Sequence, residues 1–178
     1  MSKIILDLCG GTGAWSKPYQ EAGYDVRLIT LPNDVRLSTF TVKVHGILAA
    51  PPCDHLAGSG ARWWKGKGLN ALYQALSIVD ACLRFVIICE PQWWCLENPV
   101  GRLSKFIGKP VFTFHPFEYG DPYQKRTCLW GKFNIPKKNP VLPTEGQKIW
   151  RMAPSARRKE LRSITPSGFA KAFFEANP

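Results

Sequence analysis

A chain of 178 residues is long enough to form one domain with its own hydrophobic core. Hydrophobic residues make up 45% of the chain and charged residues 21%, which excludes disordered and collagen-like proteins. The 24 Lys and Arg residues exceed the 13 Asp and Glu residues, and the formal charge of +11 favours a polyanionic partner such as nucleic acid, although solubility alone would explain it equally well.

The cysteines follow no metal-binding or disulfide pattern. No two are spaced as Cys-x-x-Cys, no histidines stand at zinc-finger spacing, and no two are placed as attacking and resolving thiols. We therefore expect no metal site, little redox chemistry and a reducing cytosol. Because the sequence shows no secretory leader and no apolar stretch near 18 residues, neither secretion nor membrane insertion is expected. The six cysteines are Cys9, Cys53, Cys82, Cys89, Cys95 and Cys128.

The first third of the chain alternates strand-like and helix-like segments. Short runs of apolar and β-branched residues predict strands at residues 4–6, 25–29 and 44–50. A glycine-rich turn follows the first strand, after which residues 14–22 can form a helix that Gly23 closes. Pro51 and Pro52 end the third strand. The connection at residues 31–43 has little periodicity.

The remainder begins with a long helix and ends with closely spaced strands. Apolar residues at helical spacing predict a helix over residues 68–84: Leu69, Leu72, Tyr73, Leu76, Val79 and Leu83. Further strands are predicted at residues 86–88 or 94–96, at 111–114 and at 127–130. The C-terminal part is predicted to contain a loop at residues 132–147, a strongly basic segment at 151–162 and a helix at 167–176.

Strands that alternate with helices are typical of right-handed βαβ units. We predict an α/β fold with a doubly wound, mainly parallel sheet and an antiparallel C-terminal edge, formed by a single domain over residues 1–178. Ligands of such sheets bind at the carboxyl ends of the strands, so residues just after each strand are candidates for a site.

The glycine-rich turn after the first strand has the position of a nucleotide-type cofactor site. Its glycines would let the backbone approach a ligand near the NH groups of the following helix. It lacks the G-x-G-x-x-G pattern, and Thr30 stands where a dinucleotide site would carry an acid, so NAD is disfavoured. Structural turns of this composition are common, and position is what favours a site here. The turn comprises Asp7, Leu8, Cys9, Gly10, Gly11, Thr12 and Gly13.

Cys53 and Glu97 each follow or end a predicted strand. Cys53 lies on a turn stiffened by Pro51 and Pro52, where a reactive thiolate would be presented; a nearby Arg or helix N-terminus would lower its pKa. Glu97 could face the same pocket and act as an acid toward cytosine N3 while a cysteine adds to C6. Taken singly, a buried inert cysteine and a helix-capping carboxylate explain the two residues as well.

Taken in order, these segments resemble the DNA cytosine-5 methyltransferases: the turn from Asp7 to Gly13, then Pro51-Pro52-Cys53, then Glu97-Asn98-Pro99. The resemblance continues at Gln124-Lys125-Arg126 and, more faintly, at Thr165-Pro166-Ser167-Gly168, and is closest to short phage-borne or prophage-like members. It implies an S-adenosylmethionine-dependent methyltransferase fold and a cytoplasmic enzyme of DNA methylation, acting in defence against restriction or as an orphan enzyme.

The resemblance also implies residue roles. Cys53 would attack C6 of cytosine, Glu97 would engage N3 and Arg126 would lie near the flipped base, while the methyl group passes from S-adenosylmethionine to C5. The implied cofactor-binding residues are Asp7, Leu8, Cys9, Gly10, Gly11, Thr12, Gly13, Asp34 and Pro51. The implied substrate-binding residues are Pro52, Asn98, Pro99 and Gln124.

Two basic groups are candidates for contact with the nucleic acid. A Gly-rich, aromatic stretch after Cys53 is suited to a mobile loop over DNA, and we place Ser59 and Arg62 among the substrate-binding residues. Trp63 and Trp64 could stack on bases, but they could equally well pack in the core. That stretch contains His55, Ser59, Gly60, Arg62, Trp63, Trp64, Lys65 and Lys67. The second group, equally compatible with a solvated face, is Lys148, Arg151, Arg157, Arg158, Lys159 and Arg162.

Three departures from the family pattern leave alternatives open. The acid expected to bind the cofactor ribose has no clear equivalent, and Asp34 is the nearest substitute. Cys128 occupies the place of the second arginine of the later motif. Fewer than 40 residues separate Arg126 from Thr165, where longer enzymes carry a target recognition domain. Either the sequence preference is short and read by loops, or a partner subunit supplies it, or the substrate is something other than duplex DNA. The same chemistry on RNA or a free cytosine nucleotide, and an inactive nucleic-acid-binding form, stay open.

Overall fold

The computed structural model describes residues 2–178 and contains a six-stranded sheet in the order β2-β1-β3-β4-β6-β5. The strands are β1 (Ile4–Leu8), β2 (Asp25–Ile29), β3 (Gly46–Ala49), β4 (Trp93–Pro99), β5 (Phe112–Phe114) and β6 (Thr127–Lys132). The first four run parallel, β6 is antiparallel to β4, and β5 is antiparallel to β6. The predicted α/β sheet with an antiparallel C-terminal edge is confirmed.

Helices cover both faces of the sheet and give it two apolar cores. They are α1 (Lys17–Glu21), α2 (Trp64–Cys89), α3 (Ser104–Ile107), α4 (Lys148–Arg151), α5 (Arg158–Ser163) and α6 (Ser167–Ala176). One core joins α2 to the sheet through residues such as Leu72, Val79 and Phe85. The other joins α6 and the α1 region to the opposite face, with Phe169 and Trp15 fully buried. Burial of these apolar side chains is the main force that holds the layers together.

The first helix is shorter than predicted. Residues 14–22 were expected to be helical, but α1 begins only at Lys17, with Pro18 in its first turn. Proline fits the first turn of a helix because its missing N–H has no intrahelical acceptor there. The residues before it form turns, in which Lys17 N donates to Gly13 O at 2.9 Å. Strand β3 also leaves out the predicted ends at residues 44–45 and 50.

The long helix extends beyond its predicted bounds at both ends. It ends at Cys89, so residues 86–88 are helical and the strand that we considered there is wrong; residues 94–96 lie in β4 instead. Gly68 has φ 71° and ψ −175°, a kink that separates the first turn from the rest of α2. A 3₁₀ helix (Gly58–Trp63) leads into it, so the segment predicted as a loop after Cys53 is largely helical.

Part of this helical region is apolar enough to cross a membrane by length and composition. The continuous stretch Gly58–Cys89 contains an 18-residue window of mean hydropathy 1.7, so our expectation that no such stretch exists was wrong. The helix nevertheless buries Ala75, Val79 and Cys82 against the sheet. Core helices of soluble proteins have the same length and composition, and this feature is therefore weak support for a membrane span.

The sheet brings the predicted site segments to one edge. The carboxyl ends of β1, β3 and β4 lie side by side, because these strands are parallel neighbours. Strand β6 runs the opposite way, so its first residue, Thr127, lies at the same edge opposite Pro99. Segments distant in sequence meet there, as expected for ligand sites in open α/β sheets.

Candidate active site

The glycine turn leaves β1 in a backbone conformation that is open on its outer side. Cys9, Gly11 and Gly13 have positive φ angles of 59°, 57° and 72°. A Cβ built on Gly11 would meet no heavy atom within 4 Å, so a ligand can approach the backbone there. The helix N-terminus expected behind the turn is absent, because α1 starts four residues after Gly13. Thr12 is exposed, whereas Leu8 is buried in the sheet.

Asp7 lies fully buried beneath this turn. Its Oδ2 accepts a 2.5 Å hydrogen bond from the Ser16 hydroxyl. Its Oδ1 is also buried and has no partner among residues 2–178. A Cβ on Gly10 would lie 2.1 Å from that oxygen, so only glycine leaves room for the carboxyl group. Burial raises the pKa of Asp7 to about 6, and the hydrogen bond from Ser16 opposes this shift.

Asp34, the candidate for the ribose-binding acid, is paired with Arg36. Its Oδ1 accepts hydrogen bonds from the Arg36 backbone N at 2.9 Å and from Nε at 3.0 Å, and its Oδ2 accepts one from Nη2 at 2.5 Å. These bonds lower the pKa of Asp34 to about 2. The guanidinium is held in turn by Gln74 of α2, at 2.6 Å. Asp34 is therefore an ionised carboxylate whose oxygens already accept bonds from one cation.

The loop that carries Cys53 is tied to the end of β4. The Asn98 side chain, fully buried, donates from Nδ2 to the Pro51 carbonyl oxygen at 2.9 Å. Further along, Gly58 N donates to Val100 O at 2.8 Å. Gly101 is required at this crossing, because a Cβ there would lie 2.0 Å from the Leu56 carbonyl oxygen. Two loops that are distant in sequence thus act as one rigid support for Cys53.

Arg102 strengthens the same support. Its backbone N donates to Leu56 O at 2.9 Å, and its Nε donates to His55 O at 2.7 Å. The guanidinium lies over the Trp64 ring, 4.5 Å from the centroid, in a cation–π contact. The first residues after Cys53 are therefore held by the loop after β4, which argues against the mobile loop expected there.

Because Ala49 of β3 pairs with Leu96 of β4, Cys53 and Glu97 follow the paired ends of neighbouring strands. Both side chains are mostly buried, and the Glu97 charge is close enough to act on the thiol. Burial raises the pKa of Cys53, and Glu97 adds to the effect; a nearby arginine, Arg162, lowers that pKa, but by less than burial raises it. Burial also raises the pKa of Glu97. The pair therefore favours a neutral thiol beside a carboxyl group able to carry a proton.

Two cations that sequence reasoning did not assign to the site lie beside this pair. Lys125 Nζ is 3.9 Å from Glu97 Oε1, and it donates to the Arg162 carbonyl oxygen of α5 at 3.4 Å. The positive charges of Lys125 and Arg162 act to lower the pKa of Cys53 against the larger effect of burial. The sequence shows a lysine beside Arg126, but it does not show on which side of the sheet the lysine side chain lies.

Arg126 and Cys128 lie elsewhere. Together with Thr113 and Trp130 they line a separate cavity of about 200 Å³. Arg126 is exposed, whereas Cys128 is buried. The two positions at which the sequence pattern led us to expect arginines thus line this cavity, although the Glu97 charge still acts on the Cys128 thiol. Gln124 is half-buried, with its backbone N bonded to Gly146 O at 2.7 Å.

Basic residues surround the entrance to Cys53. Lys159 of α5 forms an ion pair with Asp54 at 2.8 Å, and Lys67 donates to the Asp54 carbonyl oxygen at 2.9 Å. Trp63 is 57% exposed, with the Arg62 guanidinium 5.0 Å from its ring centroid. Trp64 is half-buried under Arg102, so core packing suits Trp64 better than it suits Trp63.

The remaining predicted residues frame the site. Pro51 is buried and Pro99 half-buried, whereas Pro52 and Ser59 are exposed. Within the described chain no three His, Cys, Asp or Glu side chains are grouped so that they could hold a metal ion.

Comparison with known proteins supports the fold. No family model and no curated protein matches the chain. Among solved structures, a candidate DNA modification methyltransferase encoded within a prophage of E. coli matches with a TM-score of 0.53 and 17% identity, over 79% of this chain and 53% of that one. The chain thus spans about half the length of that structure. At this identity the likeness establishes an α/β fold of the methyltransferase type.

Proposed function

We propose that this chain is an S-adenosylmethionine-dependent methyltransferase that modifies C5 of cytosine in DNA. The observation that carries the proposal is that Cys53 and Glu97 follow the paired ends of neighbouring strands, where the Glu97 charge acts on the thiol, at the sheet edge that also holds the glycine turn. A thiol alone would be an inert core residue, and a carboxyl alone a capping group. Together, in a methyltransferase-type sheet, they are the nucleophile and the acid that addition to a cytosine ring requires.

In the proposed reaction the Cys53 thiol first loses its proton to solvent, and the resulting thiolate donates an electron pair to C6 of the ring. Glu97 gives a proton to N3, which neutralises the charge that this addition develops. The ring then has a nucleophilic C5, which takes the methyl group. A proton acceptor removes the C5 proton, the C6–sulfur bond breaks to return the thiolate, and N3 returns its proton to Glu97. Burial raises the pKa of Glu97 and outweighs the opposite effect of the Lys125 charge, which suits a carboxyl group that gives a proton to N3.

The residues of the glycine turn fit the cofactor. S-adenosylmethionine supplies the methyl group on a sulfonium, which makes the carbon electrophilic. Asp7 Oδ1 is a buried acceptor without a protein partner in residues 2–178, suited to a cationic group, and the space over Gly11 is open. The residues that would hold the cofactor are Asp7, Leu8, Cys9, Gly10, Gly11, Thr12, Gly13, Asp34 and Pro51.

The charge distribution supports a polynucleotide substrate. Lys67, Lys159 and Arg162 lie around the Cys53 turn, and a chain of net charge +11 attracts phosphates. The proposed substrate-binding residues are Pro52, Ser59, Arg62, Asn98, Pro99 and Gln124, with Arg126 near the DNA backbone. As proposed, the chain works in the cytosol as a single catalytic domain, and loops or a partner subunit supply sequence preference.

The direct test is transfer of a labelled methyl group from S-adenosylmethionine to duplex DNA, single-stranded DNA, RNA and dCMP. We expect label at C5 of cytosine in DNA. Cys53→Ala should abolish transfer, whereas Cys128→Ala, a matched change at a buried cysteine of β6 that faces the Arg126 cavity, should retain it. Both variants should keep cofactor binding.

Other outcomes would redirect the proposal. Label on RNA or dCMP but not DNA would keep the chemistry and change the substrate. Cofactor and DNA binding without transfer to any of the four would favour an inactive nucleic-acid-binding protein or a missing partner. Transfer that persists in Cys53→Ala would contradict the covalent mechanism.

A further inference from the structure

The pairing of β4 with β6 decides which side chains share a face with Glu97. In an antiparallel pair, residues directly opposite each other point to the same side, and successive residues alternate. Glu97 is opposite Leu129, and Pro99 is opposite Thr127. The odd-numbered residues of β6 therefore lie on the Glu97 side. Lys125, two residues before Thr127, continues that side, and its Nζ is 3.9 Å from Glu97 Oε1.

The even-numbered residues of the same segment lie on the opposite side. Asn98 is opposite Cys128, and Cys128 and Trp130 line the cavity that also contains Arg126. Backbone pairing extends to this position, because Val100 N donates to Arg126 O at 3.3 Å. A single-residue step along the chain thus separates the cation that meets Glu97 from the cation that does not.

Lys125 is enclosed in a way that increases its influence. Its side chain is 16% exposed and that of Glu97 is 17% exposed, so water screens the pair far less than a surface pair. The Lys125 ammonium also donates to the Arg162 carbonyl oxygen, which fixes it between α5 and β4. The charged groups that act on Cys53 are Asp54, Glu97, Lys125, Lys159 and Arg162; Tyr123 lies near Glu97.

We propose that Lys125 is a positioning residue of the reaction: it holds the Glu97 carboxyl group toward the base and supplies the positive charge that stabilises the Cys53 thiolate. This inference rests on the proposed function, and it gives a role to Lys125, whereas the family resemblance drew attention to Arg126. Lys125 acts through Glu97 and Cys53 and does not itself touch the ring. Arg126, on the other side of β6, contributes to DNA affinity only.

The test measures Cys53 ionisation separately from catalysis. The rate of alkylation of Cys53 by iodoacetamide is followed by mass spectrometry against pH in the wild type, K125M, K125Q, K125R and R126Q. We expect the alkylation profile to shift to higher pH in K125M and K125Q, to return toward the wild type in K125R, and to stay unchanged in R126Q. Circular dichroism identifies folded variants; K125Q and K125R give the comparison if K125M does not fold.

Single-turnover methyl transfer supplies the second readout. Loss of the charge should slow transfer at neutral pH by about 100-fold, with the deficit shrinking at higher pH as the thiolate forms without help. K125R should recover most of the rate of transfer. R126Q should weaken DNA binding without changing the pH dependence of the rate. Wild-type alkylation profiles in folded K125M and K125Q would overturn the role of Lys125. A shifted profile in a protein that methylates nothing would support that role while removing the proposed function.

Discussion

The Asn98 side chain donates a 2.9 Å hydrogen bond to the Pro51 carbonyl oxygen, and this bond links the residue after Glu97 to the turn that carries Cys53. Both partners are buried. The family resemblance implied substrate contact for Asn98, but this bond gives its amide a structural task. The distance between the proposed nucleophile and acid therefore depends on an amide that belongs to neither group.

Removal of this amide should destabilise the protein and loosen the Cys53 turn. In Asn98→Ala the Pro51 carbonyl oxygen is left buried without a donor, which costs about 1–3 kcal/mol of unfolding free energy. We expect a lower urea midpoint and a loss of methyl transfer in conditions where the variant is still folded. Asn70→Ala, at an exposed position of α2, is the matched control and should leave both quantities unchanged. Equal urea midpoints for Asn98→Ala and Asn70→Ala would show that the hydrogen bond from Asn98 to Pro51 does not stabilise the protein.

The buried carboxyl of Asp7 should make stability depend on pH. Its pKa in the folded protein, about 6, is above that of the unfolded chain. The protonated form therefore favours folding, and this contribution is present at low pH and lost as pH rises through about 6. Between about pH 4 and about pH 7, the wild type should lose up to about 3 kcal/mol of unfolding free energy relative to Asp7→Asn. Urea unfolding of both proteins across this pH range measures the difference. Parallel curves of unfolding free energy against pH for the two proteins would contradict the prediction.

Most of the sheet could be predicted from the sequence, because short runs of β-branched residues between turns seldom adopt another secondary structure. Residues 86–88 are an instructive error: Val86, Ile87 and Ile88 have strand propensity, yet they continue α2. Packing of that helix on the sheet outweighs the local preference, which is worth only tenths of a kcal/mol per residue, on the order of 0.5. The late start of the first helix has a local cause instead, since Pro18 fits the first turn of a helix but not its interior.

The candidate site was predictable as far as strand ends could be recognised. Cys53 and Glu97 follow from that rule, since parallel strands deliver their carboxyl ends to one edge. The choice between Lys125 and Arg126 depends on the register of β6 against β4, and a slip of one residue would exchange them. Register is set by pairing between segments distant in sequence, so residue identity alone could not decide it. The pKa of Cys53 likewise depends on burial, which the spacing of charged residues does not reveal.

The glycine turn should lose its ligand when Gly10 gains a side chain. A Cβ at this position would lie 2.1 Å from Asp7 Oδ1, so the carboxyl group must move out of place in Gly10→Ala. If Asp7 accepts a bond from a cationic group of S-adenosylmethionine, affinity should fall by about 10- to 100-fold, the value of one charge-assisted hydrogen bond. Equilibrium dialysis measures it. Gly66→Ala, where a Cβ meets nothing within 4 Å, should bind the cofactor as the wild type does; unchanged affinity in Gly10→Ala would remove Asp7 from the cofactor site.

The Lys159–Asp54 ion pair beside Cys53 predicts opposite effects of its two members on DNA binding. Lys159→Gln removes a cation at the entrance, so the slope of log affinity against log salt should decrease by about 1. Asp54→Asn frees Lys159 for phosphates and removes a repelling charge, so affinity should rise at low salt. Fluorescence anisotropy with a short duplex measures both, with Lys171→Gln on α6, away from Cys53 and paired with Glu175, as the control. If Lys159→Gln and Lys171→Gln change the slope equally, the entrance is not where the DNA backbone lies.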